Sequence, residues 1–124
     1  MIKLAITTTL AAVLMTTSAL AATWSVTEQS ASGIKYASGT WNISNEGDKV
    51  TGKADLQLDN GSVLTYKLDG SIAGGVYTVN LVGRDDSKKN CVWTGKAADG
   101  LGGKVFSGEA VCEGTKMTIR GGLQ

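Results

Sequence analysis

The chain has 124 residues, two cysteines, no histidine, no proline and nearly balanced charge, with 12 basic against 11 acidic side chains. That length holds one domain and no more. The absence of histidine excludes the usual general base and every His-based metal site, and balanced charge gives no net field to steer a nucleic acid or an anionic membrane surface.

The N-terminus reads as an export signal. Lys3 supplies a positive n-region, Leu4 to Leu14 a short apolar run, and Ala19-Leu20-Ala21 the small-x-small cleavage pattern, so residues 1–21 are expected to be a signal peptide and the mature domain to be 22–124. The apolar run is too short and too rich in threonine to span a bilayer, and the mature chain is expected to carry no transmembrane segment. The brevity of the leader points to a bacterial protein of the periplasm or the medium. Two cysteines in such a protein imply one disulfide, Cys91–Cys112.

The mature chain then repeats one pattern, apolar residues at every second position between short glycine-bearing turns. Trp24 and Val26 begin it. Ile34 and Tyr36 continue it, and a phase shift before Gly39, Trp41 and Ile43 predicts a bulge. Glu46-Gly47 is read as a two-residue turn setting Ile43 opposite Val50. The next strand carries Val50, Ala54, Leu56 and Leu58 on one face, and a three-residue Asp59-Asn60-Gly61 loop places Leu56 opposite Leu64. Gly74-Gly75 closes the clearest hairpin, with Ile72 opposite Tyr77 and Leu68 opposite Leu81. After the charged loop Arg84–Asn90, pairing Cys91 with Cys112 sets Trp93 opposite Ala110 and Ala97 opposite Phe106, so disulfide and apolar registers coincide. Asp99–Lys104 is read as a glycine-rich connection, and Met117 and Ile119 form the last strand.

A weak repeat of hydroxyl or acidic residue, glycine, one residue and an apolar one recurs at Gly39, Gly52, Gly70, Gly95 and Gly108. No helix follows any of them, so they read as strand glycines at points of close backbone approach, some covered by an aromatic across the ladder, and not as phosphate loops. The fold expected is all-β: a small antiparallel up-and-down barrel of about eight strands with one disulfide, or alternatively a two-sheet sandwich. The Ser30–Gly33, Asp59–Gly61, Arg84–Asn90 and Gly114 connections gather at one end. Trp24, Trp41, Trp93, Tyr66, Tyr77 and Phe106 all fall at inward positions, to fill a core or to line a calyx.

Two short stretches resemble known families. Gly39-Thr40-Trp41-Asn42 resembles the first strand of the biotin-binding avidins, also eight-stranded barrels, but no tryptophan-rich ligand strands follow and no biotin site is expected. Ser32-Gly33-Ile34-Lys35-Tyr36 resembles the Ser-Gly-x-x-Tyr motif of periplasmic inhibitors of C-type lysozyme, small disulfide-bearing β-barrels. That resemblance implies Ser32 and a lysine, Lys35 or Lys88, as the groups entering a lysozyme cleft, although the family carries its motif after several strands and this chain near the mature N-terminus.

With both cysteines spent on a disulfide and Asp55, Asp69 and Glu109 facing outward, the expectation is a non-catalytic binding or interaction module of the bacterial envelope, not an enzyme, with no metal and no cofactor. Its partner is another protein, for instance a lysozyme or other hydrolase, or a small apolar ligand; nucleic acid is not expected. Loops on a rigid scaffold carry function, so the working surface is placed at Ser32, Lys35, Tyr36, Arg84, Asp85, Lys88 and Lys89.

Overall fold

A computed structural model describes residues 20–100 and 103–124. Eight strands follow one another: β1 Leu20–Ser30, β2 Lys35–Glu46, β3 Lys49–Leu58, β4 Val63–Ala73, β5 Val76–Val82, β6 Cys91–Gly100, β7 Gly103–Cys112 and β8 Thr115–Leu123. Each pairs antiparallel with the next, and β1 pairs with β8 from Trp24 opposite Leu123 to Ser30 opposite Met117, so the sheet closes. Closure removes both strand edges and excludes the sandwich. The predicted signal peptide lies outside the described residues except for Leu20 and Ala21, which pair with Asn45 and Ser44. Among the described residues no helix is long and apolar enough to cross a membrane.

Turn chemistry sets the registers. Gly74 and Gly75 have φ of +57° and +78°, both central positions of a type I′ turn, and Ile72 faces Tyr77 as expected. Gly61 has φ +89° and closes the three-residue loop by donating to the Leu58 carbonyl at 2.9 Å, which puts Leu56 opposite Leu64. The β2–β3 hairpin departs from expectation: its turn is Gly47-Asp48, Glu46 faces Lys49, and Ile43 faces Gly52 instead of Val50. Both favoured hairpin turns need φ > 0 at their first central position. Gly47 supplies it at +58°, whereas a Glu46-Gly47 turn would demand it of a glutamate. The slip is two residues, so the inward set is unchanged. The β6–β7 hairpin is also longer than expected. Asp99 pairs with Lys104 and Gly100 with Gly103, so most of the expected connection is strand, and residues 101 and 102 lie outside the described residues.

The middle of the barrel is a packed aromatic core. Trp41 lies 5.3 Å, centroid to centroid, from both Trp93 and Phe106, and Trp24 is 4.6 Å from Phe106. Such pairs contribute about 0.5–1.5 kcal/mol each beyond their area. The Trp93 indole donates to the Ile119 carbonyl at 3.1 Å, so its N–H is not stranded. The strand glycines let neighbouring backbones approach: a Cβ on Gly70 would sit 2.0 Å from the Thr78 carbonyl oxygen. Gly95 is different, because a Cβ there would strike the Trp93 ring at 2.2 Å. Its nearest aromatic cover is two residues back on the same strand, while Tyr77 faces it across the ladder. Cys91 and Cys112 are bonded, buried and 4.0 Å apart at Cα, and closing this ring stabilises by about 3 kcal/mol in the loop-entropy model.

Candidate functional site at the loop end

The inward phase of β1 runs through Trp24 and Val26 to Glu28, which is 0% exposed, the one buried charged residue of the core among those described. Directly after it the β1–β2 ladder shifts, Glu28 facing Ala37 and Gln29 facing Lys35. Tyr36 is the unpaired residue of this bulge, and bulges re-aim side chains; here the half-buried Tyr36 ring packs against the core.

From the other side Arg84, in the β5–β6 loop, turns its guanidinium inward until its side chain is 1% exposed. Nη1 and Nη2 donate to the two Glu28 oxygens at 3.1 and 3.0 Å, while Nε and Nη2 donate to Asp86 at 3.0 and 2.6 Å. The planar fork therefore grips two carboxylates at once, the geometry for which arginine is suited. The Tyr66 hydroxyl donates to Glu28 and accepts from the Trp41 indole N–H at 2.9 Å, and Arg84 Cζ lies 4.8 Å from the centre of the Tyr66 ring. Asp86 also accepts from the Tyr36 hydroxyl at 2.9 Å and the Lys88 amide at 3.2 Å, and Lys88 Nζ rests 4.2 Å above the Tyr36 ring. One connected chain of hydrogen bonds thus runs from the aromatic core to the loop.

Protonation follows from this wiring. Burial, with the Glu28 carboxylate beside it, holds the Tyr66 hydroxyl well above its ordinary value. Burial and the bond to Asp86 push Tyr36 up to about 12. Burial alone would raise Asp86 and lower Arg84; the ion pair between them outweighs it, leaving Asp86 below the usual carboxylate range and Arg84 above its usual one. The cluster holds two carboxylates against one guanidinium, with Lys88 at its rim.

The seven expected site residues divide between this cluster and the surface. Tyr36, Arg84 and Lys88 come together on Asp86, so Arg84 belongs to the interior and is not a solvent-facing charge; nor is Asp86 a solvated loop residue, its side chain being 6% exposed. Asp85 is exposed but tied to β4, accepting from the Thr65 amide at 3.1 Å and the Thr65 hydroxyl at 3.3 Å. Lys35 and Lys89 are exposed. Ser32 is exposed at the tip of the β1–β2 turn, where its hydroxyl meets that of Ser30 at 2.9 Å. Sequence reasoning did not single out Glu28, whose parity with Trp24 and Val26 was the available signal, nor Ile34 and Val63, which stand 67% and 69% exposed at this end.

The four connections of the loop end are knit together. The Asp59 amide donates to the Tyr36 carbonyl at 3.1 Å, and the Glu113 amide to the Lys89 carbonyl at 3.0 Å. The Asn90 side chain donates to Glu113. Every Glu28 and Asp86 oxygen accepts a hydrogen bond, and Glu28 is closed off from solvent. What it does physically is brace the loops.

No family model matches the chain and no curated protein matches it. Solved structures do. A de novo designed fluorescence-activating β-barrel superposes with a TM-score of 0.60 at 11% identity, covering 85% of this chain and 94% of its own. A redesigned barrel, mFAP1, bound to DFHBI, gives 0.58 at 17% identity, covering 83% and 92%. These likenesses are of fold.

Proposed function

We propose that this chain is an exported, non-catalytic binding module that engages another protein through the loop end of its barrel. The observation that carries the reading is the combination of rigidity and exposure at that end. Four connections are fastened to each other and to a buried ion pair, yet at the same end Ile34, Val63, Lys35 and Lys89 are left in solvent. Preorganised loops lose little conformational entropy on binding, which is how a small surface reaches useful affinity. An apolar centre within a polar rim is the usual anatomy of an interface.

A hydrolase inhibitor is the concrete version to test first, with C-type lysozyme as the partner. The paired measurement is quantitative crosslinking of the mature chain in its envelope extract, alongside lysozyme inhibition. Ile34→Glu and Lys89→Glu should each remove a saturable partner, whereas Lys49→Glu at the other end should not. Partners retained by all three variants would refute the loop-end reading.

A second reading, carriage of a small apolar molecule, is supported by the opposite mouth. There Ile72 and Tyr77 are only partly buried, and the fold is one that, in mFAP1, holds DFHBI.

A further inference from the structure

Strand glycines in this barrel have causes in their surroundings. A Cβ on Gly39, Gly52, Gly70 or Gly108 would lie 2.0 to 2.2 Å from a facing carbonyl oxygen. Of the other described strand glycines, all but one are crowded by a side chain at 3.0 Å or less or hold a left-handed φ, +119° at Gly103. Gly122 has neither cause. Nothing lies within 4 Å of its missing Cβ, its φ is not left-handed, and it pairs with Ser25 and Val105, both exposed, so the vacant position faces outward. A glycine inside a strand forfeits packing and often marks the close approach of a ligand or of another backbone; here no backbone approaches.

The result is a hollow of about 440 Å³ in the outer wall, where β1, β8 and β7 run side by side. That volume falls within the range of small-molecule sites, about 300–1,000 Å³. Arg120 lies two residues before Gly122 on the same face, exposed between Thr27 of β1 and Ser107 of β7. Among the described residues its guanidinium enters no ion pair. Its one diagonal carboxylate neighbour, Glu109, is held by Lys116 at 3.7 Å, and beyond Ser107 stands a second cation, Lys96. Val105, 40% exposed, gives the hollow an apolar wall. The Ser25 hydroxyl accepts from the Gln124 amide at 2.6 Å, which leaves its hydrogen free to donate.

We propose that this hollow binds a small organic acid, a carboxylate on a short hydrocarbon tail; neither the loop end nor the opposite mouth takes part. The guanidinium fork takes both carboxylate oxygens, the Thr27 and Ser107 hydroxyls donate to them, and the tail crosses Gly122 to cover Val105. An ion pair at a surface contributes little alone, so recognition rests on the fork, the hydroxyls and the apolar wall acting together. A bare inorganic anion lacks the tail, and a neutral amide lacks the charge.

The test uses the purified, disulfide-intact chain, with hexanoate, hexanamide, acetate and inorganic phosphate titrated separately and followed by amide chemical shifts. Hexanoate should saturate with shifts at Thr27, Ser107, Arg120 and Gly122. It should bind at least about tenfold tighter than acetate on the burial of its tail, and at least about tenfold tighter than hexanamide on its charge-assisted hydrogen bonds. Arg120→Gln, at an exposed position, should abolish hexanoate binding, and Arg120→Lys should keep the charge but lose most of the affinity with the fork. Gly122→Leu should fill the hollow and bring hexanoate down to the level of acetate; should that variant not fold, the two Arg120 variants decide. The proposal is overturned if acetate or phosphate binds as tightly as hexanoate, or if Arg120→Gln leaves the affinity unchanged. Shifts confined to other parts of the barrel, or no saturation by about 10 mM, ten times a millimolar Kd, would overturn it as well.

Discussion

Removing the Arg84 guanidinium is the most informative single change. In Arg84→Met, Glu28 loses two hydrogen bonds and Asp86 loses two. Glu28 stays 0% exposed with only the Tyr66 hydroxyl as a partner. Breaking a buried pair by deleting one member costs about 3–5 kcal/mol, mostly the penalty of the stranded charge. A domain of this size has about 5–15 kcal/mol in total, so the variant should sit near the edge of folding. The same physics makes the double variant milder. With Glu28→Leu added, no carboxylate is left stranded in the core. Asp86 retains the Tyr36 hydroxyl and the Lys88 amide, and Tyr66 still accepts from Trp41. Independent sites would sum to about 6–10 kcal/mol; the expectation is that the pair costs no more than Arg84→Met alone, a coupling of at least about 3 kcal/mol. Urea unfolding of the oxidised chain, followed by tryptophan emission, measures Arg84→Met, Glu28→Leu and the double variant. Additive losses, or an Arg84→Met variant within about 1 kcal/mol of the parent, where surface substitutions fall, would refute the reasoning.

Four further outcomes follow from the same structure. Unfolded tyrosine ionises near about pH 10, while Tyr36 in the fold holds its proton to about 12 and Tyr66 higher still. Above about pH 10 the unfolded chain therefore sheds protons that the fold retains, and stability should fall as pH rises; the loss of unfolding free energy over that alkaline step, with tyrosinate absorbance following the ionisation, should be smaller in Tyr36→Phe than in the parent, and an equal loss would refute the role of Tyr36. Asp86 has the opposite sign: its depressed value gives stability that is complete above the unfolded carboxylate's value, about 3.9, and is lost as pH falls through the folded one. Gly70→Ala must displace the β5 backbone and should cost at least about 2 kcal/mol, in the range of overpacking. By contrast Gly122→Ala, with nothing within 4 Å of the new methyl, should stay within about 0.5 kcal/mol; equal losses would show that backbone crowding is not what selects glycine. Cys91→Ala/Cys112→Ala should lower the unfolding free energy by about 2–4 kcal/mol, and its m-value should rise, because the unfolded chain without the crosslink exposes more surface.

The strands were legible because two independent rules agree along most of the chain. Alternation fixes which face is buried, and the turn glycines fix where each strand reverses, so Gly61 and Gly74-Gly75 each leave one register that satisfies both. The Gly47 turn was misplaced because a slip of two preserves alternation and only the φ requirement at the first turn position discriminates. The site was less legible for a different reason. Arg84–Asn90 has no period, and read locally its charges look solvated. Only the closed barrel reveals that Arg84 stands over Glu28, 56 positions earlier in sequence. Glu28 itself obeys alternation with Trp24 and Val26, and a buried charge demands a partner, which here lies in a distant loop that local sequence does not connect to it.

The buried ion pair also answers a question of topology. The β5–β6 connection, from Val82 to Cys91, is the long one, whereas the hairpins at Gly47, Gly74-Gly75 and Gly114 close in two residues. A long connection has no turn chemistry to specify its path, and Arg84 with Asp86 supplies anchors that hydrocarbon could not aim. Stability alone does not require charge there, since an apolar pair of similar volume is often as stable. The two roles separate in the Glu28→Leu/Arg84→Met variant. If the pair serves mainly to fix the loop, the variant should keep its global stability, yet amides of Asp85 to Lys89 should exchange with solvent many times faster while those of β2 and β6 do not change. Loop-end binding should weaken with it, because the entropy of ordering the loop would then fall on the association step. Unchanged loop protection in a stable variant would show instead that Asp85 on Thr65 and Glu113 on Lys89 hold the loop unaided.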